Sequence, residues 1–185
     1  SEQISILELK LQQADDLLRE AKQATINTLK TEFATADDAI RNKIDQFISN
    51  PEGNNPQLSF VTTNSQLEID VESGRFVLGN MLEDWGNDLN NLTIENDLFI
   101  FLNKADQNLT NIRNFLDTSA LAVNSLSANS GLSQTTIDGW KTAVLTARTN
   151  INTSLSDISS AKDSLNNKIA SYDIAKKQQE EGFAG

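Results

Sequence analysis

The most regular feature of the sequence is an apolar residue at every seventh position between residues 137 and 172. The series runs without an exception, and small residues are frequent in the row of positions between its members. A seven-residue repeat of this kind is typical of helices that pack along one another in a coiled coil. The residues around it are mostly Ser, Thr, Asn and Asp, which are indifferent helix formers, so this helix needs a packing partner. The members of the series are Ile137, Val144, Ile151, Ile158, Leu165 and Tyr172.

This helix is predicted to cover about residues 134 to 181. The spacing of apolar residues predicts two further long helices before it in the sequence. The first covers about residues 3 to 50, and it ends there because Pro51 disfavours helical geometry in the residue before it. The other covers about residues 95 to 127 and follows Thr93, which is a suitable N-cap residue. An acidic residue in its first turn fits the positive end of the helix dipole.

The segment that contains residues 67 to 92 admits two interpretations. Its apolar residues fit a helix, and T-N-S-Q at 63 to 66 has the spacing of a capping box. However, L-E-I-D-V and R-F-V-L alternate like the two strands of a hairpin joined at E-S-G. We favour the helix, because a lone hairpin among long helices has no sheet to join.

The lengths of these four helices predict how they are arranged. At 1.5 Å per residue the outer two reach about 70 Å and the inner two about 45 Å. We therefore expect an all-α fold and a single domain over residues 1–185. An elongated up-down-up-down four-helix bundle over residues 21–163 would continue into a two-helix antiparallel coiled-coil stem over residues 1–20 and 164–185.

Two details of the sequence bear on that arrangement. The apolar register of the first helix slips between Ala21 and Leu29, which indicates a change of packing partners near the predicted junction of stem and bundle. The two ends of the sequence are then expected side by side at the foot of the stem. That is the arrangement of a helical insertion within a longer protein.

Composition excludes several classes of function. The chain has no cysteine and no histidine, which removes thiol and imidazole chemistry and the commonest metal ligands. Its net charge of -11 repels nucleic acid. No apolar run has the length of a membrane span, and the first residues do not form a signal peptide. We expect no enzyme activity and no cofactor.

The acidic clusters do not predict a metal site. Asp70, Glu72 and Gly74 begin like a calcium-binding loop, but glycine stands where the third ligand is required. The pairs Asp15-Asp16 and Asp37-Asp38 are adjacent on predicted helices, so their side chains diverge and cannot share one cation.

The loops at residues 50–62 and 127–133 are predicted to lie at the same end of the bundle, which we call the tip. They offer polar groups and a few apolar side chains for contact with a partner protein. The alternative is that the first loop folds down and closes the end of the bundle, and Trp85 and Trp140 are expected in the core. The candidate contact residues are Pro51, Glu52, Asn54, Asn55, Pro56, Leu58, Phe60, Asn129 and Leu132.

Three tracts carry a resemblance to a known family. They are A-D-D-A-I-R-N-K-I-D-Q-F-I-S-N-P at 36 to 51, L-S-Q-T-T-I-D-G-W-K at 132 to 141, and T-A-R-T-N-I-N-T at 146 to 153. Together with the closing I-A-K-K-Q-Q-E-E-G-F-A-G, they resemble the long helical insertion of HlyD-like membrane fusion proteins. Those proteins are periplasmic adaptor subunits of efflux and secretion systems. The resemblance covers nearly the whole chain but only the helical part of such adaptors.

The resemblance implies a non-enzymatic helical spacer that links a cytoplasmic-membrane transporter to partners further out. It implies an extracytoplasmic location, with membrane anchoring through segments outside this sequence. The partners would be subunits of the transporter complex or other copies of the parent protein. The chain lacks the Arg-x3-Leu-x6-Ser pattern with which many adaptors meet an outer-membrane channel. A second hypothesis is the extracytoplasmic four-helix ligand-sensing domain of a chemoreceptor or sensor kinase, since such domains also have two long helices.

Overall fold

The computed structural model describes residues 2–184 as a mostly helical chain. The all-α prediction is confirmed, and the segment that also resembled a hairpin is helical. The last helix carries the seven-residue series and is the longest element. The four helices are α1 (Glu2–Asp37), α2 (Ser65–Asn90), α3 (Leu98–Asn124) and α4 (Gln134–Ala184).

The first helix does not continue unbroken to residue 50, so that prediction is wrong. After α1 the chain forms a π-helical turn over Asp38–Lys43 and a 3-10 turn over Ile44–Phe47. Ala39, Ile40, Ile44 and Phe47 are all buried. The wider π turn and the tighter 3-10 turn change the helical geometry here, while these four side chains stay on the side of the core.

A two-stranded antiparallel sheet follows these turns, and sequence analysis did not predict it. Strand β1 (Ile48–Ser49) pairs with strand β2 (Gln57–Leu58), with Ile48 opposite Leu58. The intervening residues 50–56 form the turn at the start of the first tip loop. The helical path therefore ends at Phe47, four positions before Pro51 and close to the predicted position.

The start of α2 lies one residue later than the T-N-S-Q pattern predicted. Asn64 is the N-cap residue, and its side-chain oxygen accepts hydrogen bonds from the backbone N–H groups of Gln66 (3.0 Å) and Leu67 (3.2 Å). Asparagine caps a helix at least as well as threonine, so it competes successfully with Thr63.

Thr93 was predicted to cap the third helix, and that prediction is wrong. Asp97 is the N-cap residue of α3 and accepts a hydrogen bond from the backbone N–H of Phe99 at 3.1 Å. Asn96 Oδ1 accepts a hydrogen bond from the Thr93 N–H at 2.8 Å, which closes a local turn and competes with helix formation there. The helix starts only after this turn, where Leu98 is buried.

Helices α1 and α4 run antiparallel to each other along their length. Near the chain ends, Leu7 lies against Gly182. Further along, Thr25 and Ser164 line the same cleft. Beyond the end of α1, the rings of Phe47 and Trp140 are 5.7 Å apart. The residue numbers on α4 therefore decrease as the residue numbers along α1 and the following turns increase, which is the pattern of an antiparallel pair.

Helices α2 and α3 cover one part of this pair. Trp85 on α2 is buried and meets Phe33 on α1 edge to face, with ring centroids 5.4 Å apart. Helix α3 is joined to α4 by Arg148–Asp117 at 2.8 Å and Lys162–Asp106 at 3.3 Å. Both tryptophans belong to the apolar cluster, with Trp140 only partly buried, as expected.

The buried core does not extend to the chain ends. Among the described residues, the first buried side chain on α1 is Leu18 and the last on α4 is Leu165. The apolar residues beyond these limits are half-buried or exposed. Within residues 2–184, none of the helices combines the length and the hydropathy that crossing a membrane requires.

Candidate protein-contact site at the helix tips

The first tip loop turns sharply at Asn50. Asn50 has a φ of 53°, a left-handed conformation that asparagine adopts more readily than most residues. Its carbonyl oxygen accepts a hydrogen bond from the N–H of Gly53 at 3.0 Å. A Cβ at residue 53 would collide with the Asn50 side chain, so any larger residue there would displace that side chain. The loop therefore has a defined shape and returns directly to β2.

A buried arginine on α2 ties this loop to the end of the first helix. The Arg75 side chain is 1% exposed and binds Asp45 through two hydrogen bonds, Nε to Oδ1 at 2.7 Å and Nη2 to Oδ2 at 2.9 Å. Arg75 Nη2 also donates to Glu52 Oε1 in the tip loop at 2.8 Å. Burial lowers the pKa of Arg75, and pairing with Asp45 and Glu52 outweighs it, so the net shift is upward and the charge is retained.

The network extends from Glu52 to the π-helical turn. Arg41 Nη1 lies 2.8 Å from Glu52 Oε1, and Arg41 Nε lies 2.7 Å from Asp37 Oδ1. The Glu52 carboxylate is thus shared by two guanidinium groups, although its side chain is 57% exposed. We call the set Asp37, Arg41, Asp45, Glu52 and Arg75 the tip network. It fixes the loop by charge-assisted hydrogen bonds.

A second carboxylate on α2 holds strand β2. Glu72 Oε1 accepts a hydrogen bond from the backbone N–H of Leu58 at 2.9 Å, and Glu72 Oε2 accepts one from Gln57 Nε2 at 3.2 Å. The outer edge of a short strand would otherwise leave its N–H group without a protein partner. Glu72 therefore acts as a structural acceptor that holds β2 against α2.

Aromatic side chains pack the end of the loop against α4. The ring of Phe60 stacks on Trp140 with centroids 5.6 Å apart and planes 30° apart, and it also lies 6.0 Å from the buried ring of Phe47. Phe60 and Leu58 are partly buried and pack against the core cluster. This arrangement matches the alternative in which the loop closes the end of the helices.

The nine predicted contact residues fall into two groups. Pro56 is buried, Pro51, Leu58, Phe60 and Leu132 are half-buried, and Glu52 is engaged in the tip network. Asn54, Asn55 and Asn129 are exposed, although Asn55 Oδ1 accepts a hydrogen bond from Gln57 Nε2 at 3.3 Å and Asn129 Oδ1 accepts one from the Gly131 N–H at 2.8 Å. Asn129 belongs to the second loop, where its N–H and carbonyl pair with those of Leu132 in an isolated bridge. The apolar candidates thus serve internal packing.

An exposed apolar strip beside the tip was missed by sequence reasoning. On α2, Ile69, Phe76 and Val77 are 55%, 39% and 61% exposed, and they follow one face of the helix at spacings of seven and one. Ile69 and Phe76 line a shallow groove of about 300 Å³ with Asn54 and Asn55. The apolar alternation that suggested a hairpin arises because the residues of this strip face outward, whereas Val71 and Leu78 face the core. That alternation was the signal that could have identified it.

No protein-family model matches this chain, and no curated protein or solved structure matches it either.

Proposed function

We propose that the chain is a non-enzymatic structural module, the helical hairpin spacer of an HlyD-like membrane fusion protein. In this role it would link a transporter in the cytoplasmic membrane to partners further out, in efflux or secretion. The observation that carries the proposal is the antiparallel pairing of α1 with α4, from Leu7 against Gly182 to Phe47 against Trp140. Two long helices paired in this way hold separate points of a protein at a fixed distance.

The arrangement that we propose is an up-down-up-down four-helix bundle over residues 21–163 with a two-helix stem over residues 1–20 and 164–185. The distribution of buried residues supports it, because the core lies between Leu18 on α1 and Leu165 on α4. The resemblance to membrane fusion proteins supports an extracytoplasmic location. The partners would be protein subunits of a transport complex, and the net charge of -11 makes nucleic acid an unsuitable one.

The tip is the proposed contact region, with a modified set of residues. The exposed apolar strip of Ile69, Phe76 and Val77 and the neighbouring Asn54 and Asn55 offer a mixed apolar and polar surface. Exposed apolar side chains grouped on one face are typical of protein-contact surfaces. The tip network holds the loop in one conformation, which reduces the entropy lost on binding.

The absence of cysteine from the sequence makes cross-linking in cells a clean test. A single cysteine at Asn54 would carry a photoactivated cross-linker at the tip, and one at the exposed Ser171 would serve as the control on α4. We expect Asn54→Cys, but not Ser171→Cys, to capture a membrane-transport subunit that mass spectrometry identifies. Capture of a signalling protein instead would support the sensor hypothesis, and capture of no transport protein from the tip would contradict the spacer function.

The shape of the particle can be checked separately. At 1.5 Å per residue α4 is about 75 Å long, and a rod of that length has a radius of gyration of about 22 Å. A compact domain of this size would have about 16 Å. Small-angle scattering is expected to give the larger value.

A further inference from the structure

A cleft with a volume of about 440 Å³ lies between α1 and α4. Alanine side chains form its apolar wall, and threonine and serine hydroxyl groups line the rest. It exists because small residues face each other here, where large side chains would have filled the space. The alanines are Ala21, Ala24 and Ala161, and the hydroxyl residues include Thr28, Ser160 and Ser164.

A buried carboxyl group borders this cleft. Glu32 is only 6% exposed, and its carboxyl group interacts with that of Asp157, which also lines the cleft. Among the described residues, no lysine or arginine forms an ion pair with either carboxyl group. The nearest lysine along α4, Lys162, is already paired with Asp106 on α3 at 3.3 Å.

Ser154 adds a second buried polar group next to Glu32. Its hydroxyl opposes the effect of burial by lowering the pKa of Glu32, yet Ser154 Oγ makes no full hydrogen bond within the described part of the chain. Buried hydroxyl and carboxyl groups normally have hydrogen-bond partners or counter-ions, because burying them without one costs free energy. Ser154 Oγ therefore has hydrogen-bonding capacity that residues 2–184 leave unused.

The two carboxyl groups at the cleft favour a positively charged ligand. Burial, and then the neighbouring Asp157 carboxylate, raise the pKa of Glu32, because the ionised form lacks a compensating positive charge. A cation placed between the two carboxyl groups would supply that charge, whereas an anion would be repelled. The cleft is much larger than a bare metal ion, and its alanine wall suits methylene groups. Both properties favour an organic cation.

We propose that the cleft between α1 and α4 binds a small organic ammonium ion. Its ammonium group would lie against the Glu32 and Asp157 carboxyl groups and donate hydrogen bonds to them, and its alkyl part would cover the alanine wall. The proposal does not depend on the spacer function of the chain, since it rests only on the residues that surround the cleft.

A titration of the isotope-labelled full chain with butylammonium chloride, followed by nuclear magnetic resonance, tests the site. We expect saturable shifts at backbone amides around Glu32 and Asp157. Butanol in equimolar sodium chloride has the same alkyl group without the charge, and it is expected to produce no such shifts. The variant Glu32→Gln should weaken the affinity at least tenfold, whereas Glu20→Gln, at an exposed acid of the same helix, should leave it unchanged.

Several outcomes would overturn the proposal. Equal affinity in the wild-type chain and in Glu32→Gln would show that the binding is not at this site. Shifts spread over the acidic surface without saturation would indicate screening alone, and the same localised shifts at lower concentrations of calcium chloride would indicate a metal site. If Glu32→Gln does not fold, Asp157→Asn replaces it, since residue 157 is exposed and its change leaves the packing intact.

Discussion

Arg75 and Asp45 are thirty positions apart in sequence and form a bidentate ion pair next to the first tip loop. The Arg75 side chain is 1% exposed and that of Asp45 is 10% exposed. The pair joins α2 to the 3-10 turn that follows the first helix. Because Glu52 binds the same guanidinium group, the conformation of the tip loop depends on a side chain of α2. The conformation of the exposed tip loop is thus set by a side chain that is itself buried.

Replacing Arg75 with methionine is expected to destabilise the protein by about 3 to 5 kcal/mol, because Asp45 would remain buried without its counter-charge. Urea unfolding at neutral pH measures the change. The matched control is Arg148→Met, since Arg148 pairs with Asp117 through an equally short contact of 2.8 Å but both side chains are 41% or more exposed. That control should lose about 1 kcal/mol or less. Equal losses in the two variants would contradict a buried pair.

The raised pKa of Glu32 predicts how the stability of the protein depends on pH. Burial, and then the charge of Asp157 on α4, raise its pKa above the ordinary value of 4.5. The folded chain therefore holds a proton over a pH interval in which the unfolded chain has released it, and stability falls as pH rises through that interval. The cost of the buried charge is absent below about pH 4.5 and fully present above the folded-state pKa.

The variant Glu32→Gln carries no such charge, so it should be more stable than the wild-type chain at pH 7 to 8. The gain is about 1.4 kcal/mol for each unit by which folding raises the pKa. Thermal unfolding at a series of pH values should show the difference shrinking towards pH 4.5. Glu20→Gln is the control and should show no gain. A wild-type advantage over Glu32→Gln that grows with pH would contradict the assignment.

The stacking of Phe60 on Trp140 is expected to contribute to the stability of the protein by packing the first tip loop against α4. Phe60→Ala should cost about 2 kcal/mol, less than the 3 to 5 kcal/mol typical of a fully buried phenylalanine, because the ring is only partly buried. It should also shift the fluorescence emission of Trp140 towards longer wavelengths. The control is Val61→Ala next to it, where the side chain is 85% exposed and a change of less than about 0.5 kcal/mol is expected. Matching results for both variants would indicate that the loop is not packed on α4.

The long helices were predictable because their signals are local and repeated. The seven-residue series from Ile137 to Tyr172 lies within one element, and its members lie on one face, where all are buried except the half-buried Tyr172. The end of the helical path before Pro51 was predictable for the same reason, since proline constrains the residue before it, but the change from α-helix to a π turn at Asp38 was not.

The tip network was not predictable, because its chemistry depends on residues that only the fold brings together. Arg75 lies 30 positions from Asp45 and 23 from Glu52, and nothing in the sequence around Arg75 distinguishes a buried arginine from a solvated one. The inward packing of two tip residues was unpredictable for a related reason. Leu58 and Phe60 are apolar residues in a loop, and only the position of Trp140 shows that they pack inward.

The sequence shows the register slip between Ala21 and Leu29, but it does not show that a cleft lies at the slip. At the slip, small residues such as Ala24 and Thr25 face Ala161 and Ser164, and the cleft lies there. The apolar pattern indicates where large side chains stop, yet it cannot show that the space remains open. That depends on how closely the two helices approach each other, which is a property of the packed structure.

The last prediction concerns how stability is distributed along α1 and α4. Between residues 2 and 17, and again between residues 166 and 184, the described residues include no buried side chain, whereas most of α3 is buried on one face from Leu98 to Val123. Segments with few buried contacts open locally at low free-energy cost. Hydrogen exchange followed by mass spectrometry should therefore show exchange within minutes at both ends, while residues 102 to 123 exchange only through global unfolding. Replacing the half-buried Leu7 with alanine should accelerate exchange at both ends together, because Leu7 lies against Gly182 on the other helix. Acceleration confined to the α1 end would contradict their pairing.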